Sequence, residues 1–76
     1  MTQNALRELI GKEVQNDGVA LEVLLRGELS FTGLRHTGNF VFEAQTPDGK
    51  MLVVHTQPVD EENEVIRITG ITVTAN

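Results

Sequence analysis

The side chains best suited to chemistry lie in a short polar segment between two apolar stretches: Arg35, His36 and Asn39. An Asn amide can donate hydrogen bonds to a nucleobase edge and accept them from it, and Arg and His can contact phosphate or stack on a base. Arg67, further along the chain, offers one more cation. Each residue also has a structural alternative: Asn39 caps its own turn, and the others occupy a solvated loop or the outward face of a strand. Both interpretations stay open for this set.

The sequence lacks the groups that most enzymes use. It contains no Cys, its one serine, Ser30, falls inside a predicted strand, and it has no Gly-rich phosphate loop with a Lys. His36 and His55 do not make a zinc site without further ligands, and the acidic segment 60–64 lacks the glycine and the ligand spacing of an EF-hand loop. We therefore expect a protein that is not an enzyme and that binds no metal and no cofactor.

Size and charge limit the possible functions. The 76 residues make a single domain, 1–76, and a chain this short buries only about 60% of the surface that its unfolded form exposes. Without disulfides, a regular core or oligomerisation must supply the missing stability. The net charge of −5 is unusual for a protein that binds nucleic acid. Four of the acids lie within 60–64, so the rest of the chain is nearly neutral and a local basic surface stays open.

Hydropathy gives an expectation for location. No apolar run approaches the ~20 residues that a membrane span needs. The N-terminus lacks a basic region followed by an apolar stretch, which a signal peptide would require. We therefore expect a cytoplasmic protein without a membrane partner.

The residue pattern predicts a helix at the start of the chain and a strand after it. Asn4 to Ile10 has a suitable N-cap and helical apolar spacing, with Gly11 at its end. From Val19 to Arg26 the apolar residues alternate, which predicts a half-buried strand. A chain reversal at Gly27-Glu28 follows. The predicted inward face of this strand consists of Val19, Leu21, Val23 and Leu25.

The remainder of the chain predicts four more strands. A strand from Leu29 is bent at Gly33, and Arg35 to Asn39 forms a polar loop. Phe31, Phe40 and Phe42 alternate with polar residues, so core packing is preferred over base stacking. The later segments are a strand at 40–45, a hairpin turn at 46–50, a strand at 51–56, a solvated loop at 58–63 and a strand at 64–75.

The last strand changes its pattern part-way. Ile66 and Ile68 are apolar at even positions, whereas Ile71 and Val73 are apolar at odd positions. A period-two pattern changes parity only through an added residue or a break, and Gly70 is the natural place for one. One N-terminal helix with five bent antiparallel strands predicts a small all-β fold, consistent with an SH3-like or OB-like barrel.

Two motifs resemble those of the Sm-like (LSm, Hfq-type) RNA-binding proteins. Gly27, Phe31, Gly33 and Leu34, followed by Asn39, are similar to the first motif of that family. The segment 68–73 resembles the second motif, with Thr69 in the place of its usual Arg. The resemblance implies an Sm-like fold, in which an N-terminal α-helix precedes a strongly bent five-stranded antiparallel sheet that forms an open SH3-like barrel.

The resemblance also implies a function. Sm-like proteins form rings by pairing the fourth strand of one subunit with the fifth strand of the next, and here a homo-oligomeric ring of roughly five to seven subunits is expected. Such a ring would bind single-stranded RNA, or DNA, around its pore and serve nucleic-acid processing or chaperoning. The alternative is a small β-barrel that acts as a structural or protein-interaction module without nucleic-acid binding. The residues expected to contact nucleic acid are Arg35, His36, Asn39, Arg67, Thr69 and Gly70.

Overall fold

The computed structural model describes residues 7–74, which form one strongly curled antiparallel sheet and a helix packed against it. The sheet contains five strands in the order β1-β5-β4-β3-β2. This confirms the predicted class, a mostly β chain with five antiparallel strands and a short helix, although a helix stands where the first strand was predicted and the first strand lies earlier in the chain. The elements are β1 (Glu13–Gln15), α1 (Gly18–Arg26), β2 (Thr32–Gly38), β3 (Val41–Gln45), β4 (Met51–Asp60) and β5 (Val65–Thr74).

Helix α1 replaces the strand predicted from Val19, and that prediction is wrong. The helix begins after Asp17, whose backbone is extended and whose Oδ1 accepts a hydrogen bond from the Val19 N–H at 2.9 Å. This N-cap satisfies one of the amide groups that the first helical turn leaves free. Arg26 and Glu22, one turn apart, form an ion pair at 3.0 Å near the other end.

The buried residues of α1 explain why its pattern was ambiguous. Leu21 and Leu25 are fully buried, whereas Val19 and Val23 are 67% and 69% exposed. Apolar residues at every second position always include pairs that are four apart, and a helix places such a pair on one face. The chain therefore buries the two leucines through helical spacing and leaves the two valines on the opposite side.

Before α1, the chain follows part of the prediction. Residues 7–9 are helical, and Asn4 to Leu6 of the predicted helix lie outside the described residues. Gly11 has a φ of +93°, as expected of a glycine that ends a helix, and its N–H donates to the Ile68 carbonyl at 2.7 Å. This bond directs the chain into the three-residue strand β1, which no sequence pattern predicted.

The predicted polar loop from Arg35 to Asn39 is largely strand. Arg35 to Gly38 belong to β2, and only Asn39 and Phe40 form the turn into β3. The bend at Gly33 is confirmed, since its φ is +66° and the β2–β3 register shifts between Thr32 and Arg35. β2 is an edge strand with polar side chains on both faces, so its sequence lacks the alternation that marks a half-buried strand.

The hairpin turn at 46–50 and the parity change near Gly70 are both confirmed. Gly49 has a φ of +84°, and the Thr46 N–H donates to the Lys50 carbonyl at 2.9 Å. In the β4–β5 pair, Gly70 lies opposite His55 and Ile68 lies opposite Thr56, which leaves Thr69 as an extra residue. The strand therefore continues through a bulge instead of ending, and its apolar side chains stay on the inner face of the sheet.

Strand β4 extends into the predicted loop that starts at Pro58. Pro58 pairs with Ile66 of β5, but β3 covers β4 only as far as His55. The last residues of β4 are thus paired on one side, which is a position where a strand tolerates proline.

The core lies between the inner face of the sheet and α1. Phe31 and Phe42 are buried, as predicted for core aromatics, and Phe40 packs against them while remaining half-buried. The fully buried side chains come from the segment before β1, from α1 and from β4 and β5: Leu9, Leu21, Leu25, Leu52, Val54, Ile66 and Ile68.

Candidate functional site

The six residues predicted to contact nucleic acid fall into two separate groups. Arg35, His36 and Asn39 lie on the edge strand β2 and the turn after it, whereas Arg67, Thr69 and Gly70 lie on β5. Strands β3 and β4 separate the two groups in the sheet. Three strand spacings amount to about 14 Å along the sheet. The two groups therefore do not form one compact site within a single chain.

Arg35 and His36 point to opposite faces of the sheet. Arg35 pairs with Glu43 of β3 and forms an ion pair with it at 3.6 Å, while its side chain remains 71% exposed. His36 pairs with Phe42 and stacks on it, with 4.7 Å between the ring centroids and 17° between the planes. Because successive strand residues alternate in direction, the two side chains leave the backbone of β2 toward opposite faces, although both residues border the space between α1 and β2.

Asn39 is exposed in a turn that is firmly anchored to β4. The carbonyl of Phe40 accepts hydrogen bonds from the N–H and the hydroxyl of Thr56, at 2.9 and 2.7 Å. Within residues 7–74, no hydrogen-bond partner is found for the Asn39 side chain. The amide is thus exposed to solvent, and this geometry does not show the alternative in which Asn39 caps its own turn.

Arg67 is engaged by a carboxylate. Its Nε and Nη2 donate to Glu13 Oε2 at 3.2 and 2.7 Å, and the two residues are cross-strand partners in β1 and β5. Both side chains are about half exposed. A phosphate would have to compete with this carboxylate for the guanidinium.

Thr69 and Gly70 surround His55 on the outer face of the sheet. The Thr69 hydroxyl donates to the His55 carbonyl at 3.2 Å, and the His55 ring lies 3.5 Å from the Thr72 hydroxyl. A Cβ at Gly70 would reach the His55 ring at 3.9 Å, an ordinary contact. The sequence pattern does not predict this contact of His55 with Thr72, because the pairing of His55 with Gly70 depends on the bulge at Thr69.

The concave surfaces carry mixed charge. The space between α1 and β2, about 440 Å³, is bordered by Asp17 and Glu22 on one side and by Arg35 and His36 on the other. Acidic groups on one wall oppose the binding of a phosphate chain there. Among residues 7–74, no three His, Asp or Glu side chains come together as metal ligands, and no helix has the length and apolar character to cross a membrane.

The most distinctive feature of the sheet is the uncovered half of β5. β1 pairs with Val65 to Arg67, and two further hydrogen bonds join Ile68 to Gly11 and Lys12. In the described part of the chain, no other strand pairs with this side of β5 beyond Ile68. The outward backbone groups of residues 69–74 thus have no strand partner among residues 7–74, and we call this segment the open edge of β5.

Comparisons with protein-family models, with curated proteins and with solved structures find no match for this chain. The similarity to Sm-like proteins rests on the motif residues alone. The ring pairing that it implies would use the fourth strand, and in this sheet β4 pairs with β5 along its whole length but with β3 only at 51–55. Among residues 7–74, backbone without a strand partner lies along one side of β1, β2 and the last residues of β4, and along the open edge of β5.

Proposed function

We propose that this protein is a non-catalytic interaction module that binds an extended protein segment along the open edge of β5. One observation carries the proposal: β5 has ten residues, and β1 with its flanking hydrogen bonds covers only the first four of them. Main-chain hydrogen bonds supply affinity when a peptide adds a strand to a sheet, and alternate side chains supply specificity.

The composition of the open edge supports this function. Native proteins protect exposed edges with charges, prolines, bulges or short strands. The segment Gly70-Ile71-Thr72-Val73-Thr74 contains no charge and no proline, and four of its five residues are β-branched. β2, at the other side of the sheet, carries Arg35 and two register shifts. The open edge of β5 has one bulge, at Thr69, and residues 70–74 beyond it carry none of these protective features.

The side chains on the open edge suit a partner strand. Ile71 and Val73 are half-buried at the margin of the core, and Thr72 and Thr74 are exposed on the outer face. A strand that pairs with β5 would extend the inner face and cover the two aliphatic side chains. Burial of apolar area then adds about 25 cal/mol per Å² to the backbone hydrogen bonds.

The test is a titration followed by the backbone amide resonances of the ¹⁵N-labelled protein. The probe is an extended peptide of alternating Thr and Val with a Lys at each end, and the control peptide has Pro in place of the central Thr. We expect the probe to shift the amides of residues 70–74, whereas the proline peptide, which cannot complete the ladder, leaves them in place. No shift at 70–74 in a monomeric protein, or equal shifts with both peptides, contradicts the proposal.

A second candidate function is the binding of single-stranded RNA by a ring-forming Sm-like protein. The exposed Arg35 and the unpaired amide of Asn39, four residues apart on one edge of the sheet, favour it. Side-by-side assembly would then have to join β2 of one subunit to the open edge of β5 in the next. The net charge of −5 and the ion pair of Arg67 with Glu13 count against it.

RNA binding is tested by fluorescence anisotropy with U-rich and A-rich oligomers at low salt. On this hypothesis Asn39→Ala weakens binding, and Glu13→Gln strengthens it by releasing Arg67. Glu28→Gln is the matched control, because it makes the same change of charge in the turn that follows α1. Absence of binding at low salt excludes this candidate, since phosphate contacts are strongest there.

A further inference from the structure

We propose that the segment paired with the open edge of β5 is β5 of a second copy of this chain, in an antiparallel two-fold arrangement centred on Thr72. The inference rests on the proposed function and names the partner of the same edge. The resulting dimer would contain one continuous sheet of ten strands, and both copies would contribute the same residues to the contact.

The two faces of β5 require the axis to pass through a residue, and we choose Thr72 because this centre pairs the two aliphatic residues with each other. A two-fold axis perpendicular to the sheet keeps both inner faces on one side, and it pairs residues whose positions have the same parity. Centred on Thr72, it places Ile71 of one copy opposite Val73 of the other, and Gly70 opposite Thr74. The half-buried aliphatic side chains then cover each other, and the threonines meet on the outer face.

The position of the charges favours self-pairing at this edge. The dimer joins two chains of net charge −5, so its contact must keep the acids apart. No residue from Gly70 to Thr74 is charged, and Glu64, the nearest acid of the β4–β5 turn, lies eight residues from Thr72, or about 27 Å along the strand. The two acidic turns would lie at opposite ends of the dimer. The distance between them would be many times the ~8 Å screening length at physiological salt.

Pairing of β5 with β2 of another copy fits less well. Thr32 to Gly38 is interrupted by two register shifts and contains Gly33 at a φ of +66°. Bulges twist a strand edge away from the flat geometry that a further strand needs. β5 also has a bulge, at Thr69, but residues 70–74 lie beyond it. Of these two edges, the open edge of β5 is therefore the better match for itself.

A charge exchange at Thr72 tests the arrangement. We expect the wild-type protein to have twice the mass of the 8.4 kDa chain by size-exclusion chromatography with light scattering. Thr72→Lys and Thr72→Glu should each halve that mass, because like charges face each other across the axis. An equimolar mixture of the two variants should recover the dimer, since Lys then faces Glu. Thr32→Lys, an exposed edge position on β2, is the control and should stay dimeric.

Because the sequence contains no Cys, a single introduced thiol gives a second measurement. Thr72→Cys should form an intermolecular disulfide with oxidised glutathione as oxidant, since cross-strand neighbours lie within disulfide reach. Thr32→Cys should stay monomeric on a non-reducing gel. Circular dichroism of each variant shows whether the fold is retained, and the cross-link decides the outcome if a charged variant unfolds.

The possible results separate this inference from the proposed function. A monomeric wild-type protein that still binds the Thr-Val peptide at residues 70–74 overturns the inference and leaves the proposed function standing. A monomer that does not bind the peptide overturns both. A wild-type oligomer larger than a dimer overturns the two-fold arrangement. The arrangement is also overturned if the mixed charged variants fail to recover a dimer and the Thr72→Cys protein fails to cross-link.

Discussion

Replacing two neighbouring apolar residues of α1 distinguishes the observed helix from the strand that the alternating pattern suggests. Leu21 is fully buried against the sheet, and Val23, two positions later, is 69% exposed. In a strand the two side chains would share one face, whereas in this helix they lie on different sides. Leu21→Ala and Val23→Ala should therefore have very different effects on the free energy of unfolding.

The expected magnitudes follow from burial. Truncating a buried Leu to Ala removes its transfer free energy and leaves a cavity, at a cost of about 2–5 kcal/mol. Val23→Ala removes atoms that already contact water, and Ala is the better helix former by about 0.5 kcal/mol, so this change should be neutral or slightly stabilising. A domain of this size has a total stability of roughly 4–11 kcal/mol, so the Leu21 variant loses a large share of it.

Urea unfolding followed by far-ultraviolet circular dichroism measures both variants. All samples should have the same protein concentration, because any self-association contributes to apparent stability. We expect a clear fall of the midpoint for Leu21→Ala and no fall for Val23→Ala. Similar losses for both would mean that both side chains are buried on one face, and the helical assignment of Gly18–Arg26 would be refuted.

Three further predictions concern the turns and the dependence of stability on acid. Gly33→Ala should lower stability by about 1 kcal/mol in urea unfolding, because it places a side chain at a φ of +66°, whereas Gly38→Ala, without positive φ, should have little effect. Thr56→Val removes the hydroxyl that donates at 2.7 Å to a carbonyl of the β2–β3 turn, which should cost about 1 kcal/mol in the same assay. The Thr46 hydroxyl donates to Asp48 and lowers the pKa of that carboxyl below its ordinary value of 3.8. This contribution to stability is present above pH 3.8 and is lost as pH falls through the lowered pKa, so Asp48→Asn should flatten the acid end of a plot of thermal midpoint against pH.

The hairpin turn and the change in the alternating pattern of the last strand could be predicted from the sequence, because each depends on a few adjacent residues. Thr46 to Lys50 contains the residues that a tight turn needs, and the parity change at Gly70 can arise only from a bulge or a break. The segment from Val19 to Arg26 was not readable in the same way. Its apolar spacing fits both periods, and the choice depends on the N-cap at Asp17 and on burial of Leu21 and Leu25 against the sheet.

The environment of the candidate site depended on contacts between distant parts of the chain. Glu13 meets Arg67 across 54 positions, through a strand of three residues that is too short to show any period. Arg67 could be identified as a cation from the sequence, but its carboxylate partner could not. Likewise, the open edge of β5 follows from the strand order, in which β1 pairs with only part of the last strand.

The two candidate functions make opposite demands on these charges. A nucleic-acid surface needs unpaired cations on one side of the molecule, whereas here Arg35 and Arg67 each face a carboxylate and lie on strands that β3 and β4 separate. Strand pairing at residues 70–74 needs only backbone groups and aliphatic side chains, which lie away from the acidic turn. A chain of net charge −5 therefore meets the requirement of strand pairing without any rearrangement. Nucleic-acid binding would require Glu13 and Glu43 to release their arginines. That requirement is the physical reason for preferring strand pairing over nucleic-acid binding.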